Sequence, residues 1–249
     1  VAVRHFRWQL LLGITLVALS AIFYYFHFIV FHDAHHIFIY LVGDIAFVPV
    51  EVLLVTLIIH QLLSTREKRS RLEKLNMVIG AFFSEVGTEL LTFFSDFDPQ
   101  LDRIRQFLIV EADWTHETFT EVRKNLKKYD YGIAIDKVDL KKLKIFLQER
   151  RDFLLRLLEN PNLLEHESFT GLLWAVFHLT EELVHRKDNM SDLPTSDRAH
   201  ISGDIKRAYV LLVDEWLEYM NHLKDNYPYL FSLAMRTNPF DEQANVEVH

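Results

Sequence analysis

The stretch Ile37–Leu63, IFIYLVGDIAFVPVEVLLVTLIIHQLL, decides how the rest of this chain is read. It is apolar except at Asp44, Glu51 and His60, and it exceeds the roughly 20 residues a helix needs to cross a bilayer. Asp44 and Glu51 are almost two helical turns apart. Both carboxylates therefore fall on one face, about 10.5 Å apart along the axis. Acids inside a membrane helix are costly, and they mark ion paths, buried polar contacts or aqueous cavities. Pro49 between them removes a backbone donor and favours a kink.

A second apolar run precedes it. Trp8–Phe31 contains no Asp, Glu, Lys or Arg, and His27 is its one imidazole. Its length, and the second run directly after it, argue against a cleaved signal peptide. Arg4 and Arg7 stand before the first run, and Arg66, Lys68, Arg69, Arg71 and Lys74 follow the second. The connecting His32–Asp33–Ala34–His35–His36 has neither Lys nor Arg. The positive-inside rule then predicts an integral membrane protein with both termini cytoplasmic and a His-rich hairpin outside. The basic cluster after the second span suits anionic lipid headgroups.

These features predict an all-α chain: two antiparallel transmembrane helices over residues 1–64, then a cytosolic helical-bundle domain over 65–249. Glycine is sparse and no strand-like alternation persists. Helices are expected from Thr65 to Phe97, Gln100 to Lys128 with a break near Asp113–Thr115, Val138 to Asn160, Leu163 to Lys187, Asp197 to Asp225, and Tyr227 to Met235. Asp188–Ser196 reads as a loop, and the last residues as a polar tail. With no cysteine, disulfides and thiolate metal sites are excluded. A net charge of −8 argues against nucleic acid as a partner. No GxGxxG, GxxxxGK[ST] or GxSxG motif occurs, so no enzymatic activity is expected.

A seven-residue stripe links the two parts: Asp44, Glu51, Ile58, Thr65, Leu72, Ile79, Val86 and Phe93, flanked by Leu75 and Phe82. Such a stripe keeps to one seam if helices supercoil. It would then be the coiled-coil axis of a homo-oligomer. The other reading of residues 72–93 is the apolar face of a helix packed in its own monomer.

Three groups are candidate sites. Asp44 and Glu51 would line the outer part of a cation pathway, with Ile58 as an apolar constriction. His32, Asp33, His35 and His36 would form an outer metal or pH site, and His36, Tyr40 and Asp44 at i, i+4 and i+8 would extend it as a polar ladder. His178, Glu182 and His185, in HLTEELVH, share a helix face that could hold a cytosolic divalent metal ion. Asp113–His116 and Asp197–His200 repeat the carboxylate–His spacing. The leading functional expectation is a homo-oligomeric cation channel in a lipid bilayer. The alternative is a membrane-anchored helical scaffold or sensor without transport.

Overall fold

The computed structural model describes residues 2–161, 163, 166–186 and 193–247, without the side chains of 2–10 and 67–72. The expected loop residues 188–192, and the side chains of Arg4, Arg7, Lys68, Arg69, Arg71 and Leu72, lie outside the described residues. All regular structure among the described residues is helical. The chain divides into two units, Val1–Lys68 and Arg69–His249.

The first unit is a helical hairpin. Helix α1 (Ala2–Phe31) and helix α2 (Ala34–Phe82) are joined through His32 and Asp33. His32 reverses the chain with φ 51°, a left-handed conformation that His adopts more readily than most residues. Asp33 caps α2: its Oδ1 accepts the backbone N–H groups of His35 and His36 at 2.9 and 3.1 Å. α2 continues through Pro49. Tyr24, His27, Ile37 and Leu41 near the turn of the hairpin are partly covered, while Phe23 and Ile58 are 64% and 58% exposed.

The second unit has an ordinary apolar core. From Leu75 onward, α2 passes through a π-helical turn, Phe83–Gly87, into α3 (Thr88–Ser95). Leu75, Ile79, Phe82 and Val86 are all buried in the unit's own core. The seven-residue stripe is therefore a monomer's packing face over this stretch. The π turn inserts an extra residue into the repeat, so Leu90 and Phe94 continue the buried face and Phe93 is only half-buried. Gly87 permits the turn, because a Cβ there would lie 2.6 Å from the Phe83 ring.

Helices α4 (His116–Leu126), α5 (Leu140–Leu158), α6 (Glu167–Val184), α7 (Thr195–Asn226) and α8 (Pro228–Arg236) complete the unit. α7 is the hub: α3, α4, α6 and α8 all pack on it, and α5 packs on α6. Caps set several starts. Thr115 and Thr118 form a reciprocal capping box for α4, Asp139 accepts from Lys142 N–H, and His166 Nδ1 accepts from Phe169 N–H.

Two expectations are corrected. Residues 100–115 are not an α-helix. They form 3-10 turns at Leu101–Arg103 and Arg105–Phe107 and then irregular chain, which puts Leu101, Ile104 and Leu108 into the core. Asn238 fixes this segment by donating to the Leu108 carbonyl at 2.9 Å. The C-terminal tail is also not simply solvated, since Phe240 is buried with its ring 5.3 Å from Trp216.

Candidate metal centre

On α6, His178 and Glu182 are one turn apart. On α7, His200 and Asp204 are one turn apart. Both spacings project the two side chains of each pair from one helix face. The packing of α6 on α7 brings the pairs together. His178 Nε2 lies 3.5 Å from Asp204 Oδ2, and His200 Nε2 lies 3.4 Å from the same oxygen. Glu182 closes the group, with Oε1 3.9 Å from His178 Nε2 and Oε2 3.7 Å from His200 Nε2. Ligand atoms of His178, Glu182 and His200 all fall within 4.8 Å of one another. A tetrahedral ion bound at about 2.0–2.1 Å holds its ligand atoms about 3.3–3.5 Å apart. The four imidazole–carboxylate separations, 3.4–3.9 Å, stand close to that spacing.

Asp204 distinguishes this group from an ordinary charged surface. Its side chain is 3% exposed, and Oδ2 is buried without a hydrogen-bond donor. A carboxylate oxygen left this way is costly unless a charge or donor meets it. Both imidazoles turn Nε2 toward it. Two guanidinium groups act from outside: Arg207 approaches Asp204 Oδ1 at 3.3 Å, and Arg186 donates to Glu182 Oε2 at 2.5 Å. Asp204 thus has one oxygen near an arginine and the other near the imidazoles, whereas Glu182 Oε2 meets both Arg186 and His200 and Oε1 faces His178. Arg186 also clamps Asp197 by donating from Nε and Nη2, at 3.0 and 2.6 Å. Its hydrogen bonds hold the carboxyls of Glu182 and Asp197 below their usual range.

His185 does not join the group. It is the C-terminal cap of α6, its side chain is 76% exposed, and its Nδ1 lies 2.8 Å from the Glu181 carbonyl oxygen. His185 directly follows α6 with helical backbone, and its imidazole lies back on the Glu181 carbonyl, in solvent, instead of joining His178 and Glu182. His116 is elsewhere too, with Nδ1 2.9 Å from the Asn221 amide. His200 and Asp204 are the candidate ligands that the single-helix reading misses. Their signal was a second His-x-x-x-acid segment.

The hairpin candidates are dispersed. Asp33 is engaged as the α2 cap, and the N–H of His36 is the main cause of its lowered pKa. His32 and His35 are exposed. The His36 ring lies 4.7 Å from Tyr40 and stacks 6.0 Å from His27. The ladder therefore begins as expected, but Asp44 meets the other helix: Tyr24 Oη is 3.5 Å from its Oδ2. Glu51 and Ile58 are exposed.

Among the described residues, three helical stretches are long and apolar enough to cross a membrane: Leu11–Phe31, Ala34–Arg66 and Glu73–Ser95. The apolar windows of the first two are uncovered, whereas that of the third is 44% buried.

Two family models match the chain. One, described as the N-terminal helical domain of MJ1433, covers residues 3–63. The other, described as the C-terminal helical domain of the uncharacterized protein MJ1433, covers residues 71–236. The uncharacterized protein MJ1433 of Methanocaldococcus jannaschii is 51% identical over 238 residues, covering 96% of this chain and 95% of that protein. No solved structure matches. On both the family models and the full-length relative, the chain belongs to the MJ1433 family.

Proposed function

We propose that this chain is a membrane-anchored helical protein whose C-terminal unit binds a divalent transition-metal ion of the zinc class. One observation carries the metal reading: the imidazoles of His178 on α6 and His200 on α7 turn Nε2 toward the buried, donorless Asp204 oxygen, with Glu182 beside both of them. His178, Glu182, His200 and Asp204 would hold the ion. Four protein ligands fill a tetrahedral shell, and a closed shell belongs to structural or sensing sites, because catalytic zinc keeps an open position. The ion would pin α6 to α7 and make the unit's stability respond to metal supply.

The anchor reading rests on the hairpin surface. Each large apolar side chain left in water forfeits about 1.5–3 kcal/mol relative to burial, and most of α1 and of α2 before Leu63 is such surface. A bilayer removes that cost. The Lys and Arg placement supports a cytoplasmic side for both ends of the hairpin and for the C-terminal unit. A homo-oligomeric cation pore would rest on Asp44 and Glu51 alone, since Leu75, Ile79, Phe82 and Val86 pack within their own unit.

Zinc titration of purified, chelator-treated protein tests the metal reading. One equivalent should bind saturably, and His178→Ala with His200→Ala should abolish it while His185→Ala leaves it intact. Equal binding by the double variant and wild type would remove the proposal.

A further inference from the structure

Farther along α7 lies a second polar cavity, of about 330 Å³, walled by α2 residues 73–79, by His166 at the start of α6, and by α7 residues 215–226. That volume is at the small end of organic-ligand sites. Leu75 and Ile79 contribute apolar wall. Among its lining residues, Glu73, Glu215 and Glu218 are acids and none is Lys or Arg.

Two buried polar atoms here lack partners. Glu215 is 2% exposed, and its Oε2 has no hydrogen-bond donor. His222 Nε2 is likewise buried and unpartnered, while its Nδ1 faces the side-chain amides of Asn76 and Asn226 at 3.1 and 3.2 Å. With Nδ1 accepting from those amides, a neutral His222 carries its proton on Nε2. Burial lowers the His222 pKa, so the imidazole does not supply Glu215 with a cation near neutral pH. Arg123 is committed elsewhere, to Asp214 at 2.8 Å and to Glu218. A transition metal fits poorly, since the donors of His166, Glu215 and His222 do not converge as those of His178, Glu182 and His200 do.

A second groove, of about 510 Å³, shares Asn76, Tyr219 and His222 with this cavity and is otherwise mostly apolar, with Met77, Phe83, Leu230 and Leu233 among its walls. Gly80 lets Tyr219 stand in this shared wall, as a Cβ there would lie 3.1 Å from its hydroxyl.

We propose that the polar cavity binds a small organic ammonium ion with a short apolar chain, its nitrogen beside Glu215 and its chain against Leu75 and Ile79. The ammonium supplies the donor that Glu215 Oε2 lacks and a cation in a cavity lined by no Lys or Arg, and the carbon chain covers apolar wall. This site is separate from the metal centre, so neither proposal depends on the other.

Calorimetric titration of the full chain in nonionic detergent, with n-butylammonium, methylammonium and butan-1-ol as probes, tests this. n-Butylammonium should bind saturably and at least tenfold more tightly than either other probe. Glu215→Gln should weaken it at least tenfold, while Glu89→Gln, an exposed acid outside the cavity, should not. No saturable binding would mean that water alone fills the cavity and would overturn the proposal. So would butan-1-ol binding as tightly as n-butylammonium, or unchanged binding in Glu215→Gln. The wild-type probe series decides the matter even if Glu215→Gln proves unstable.

Discussion

The hairpin and the C-terminal unit are built from similar apolar helices but place them oppositely. In α1 and the first part of α2, apolar side chains point outward, and Tyr24, His27, His36 and Asp44 gather where the helices meet. In the C-terminal unit, Leu172, Leu173, Leu212 and Leu217 are fully buried, and charged groups form networks at the periphery. The contrast teaches that hydropathy alone does not identify the surroundings of a helix. Glu73–Ser95 is apolar enough to cross a membrane, yet its apolar face is the core of its own unit.

Lysine substitutions should break the contrast most sharply. Leu212→Lys puts an ammonium at a fully buried position and should prevent the C-terminal unit from folding, seen as lost thermal cooperativity. Phe23→Lys with Leu54→Lys should leave that unit's melting intact but impair membrane insertion, at about 2.5–3.5 kcal/mol per charge near mid-bilayer. Retention of the double variant in carbonate-washed membranes would count against the anchor.

Truncations should give a smaller effect of the same kind. Leu173→Ala should destabilise the C-terminal unit by about 2–5 kcal/mol in denaturant unfolding. Leu57→Ala, at a position 56% exposed, should change that unfolding hardly at all. Metal comes next. Zinc at a hundred times its dissociation constant should stabilise the unit by about 2.7 kcal/mol. The shift should vanish with His178→Ala and persist with His185→Ala.

The smallest expected effect is pH dependence from the Arg186 clamp. Glu182 and Asp197 have folded-state pKa values below their ordinary 4.5 and 3.8. Their contribution is therefore complete above those ordinary values and is lost as pH falls through the lower folded-state ones. Arg186→Gln should flatten that part of the stability curve in metal-free protein, and an unchanged acid limb would show that the clamp contributes nothing.

Much of the fold was legible where local chemistry dominates. The apolar runs, Asp98–Pro99 and Asn160–Pro161 marked helix limits close to those observed. Residues 100–115 were harder. Leu101, Ile104 and Leu108 have helix-like spacing, but a tertiary tie from Asn238 and the start signal at Thr115 leave room only for short turns. The π turn at Phe83–Gly87 had no sequence pattern of its own.

The candidate metal centre was half legible. His178 and Glu182 follow from spacing on one helix. The same spacing extended to His185 runs past the end of α6 at Val184. His200 and Asp204 belong to a different helix, so their role depended on how α6 and α7 pack. The buried state of Asp204, which carries the most chemical meaning, is entirely a tertiary property.

X-ray absorption at the zinc edge of the purified full chain tests the central claim most directly. The account predicts one zinc per chain in a four-coordinate nitrogen and oxygen shell, with two imidazoles at about 2.0 Å. Loss of that signal should follow Asp204→Asn combined with His200→Ala. A water-dominated six-coordinate shell, or the same spectrum in that variant, would contradict it.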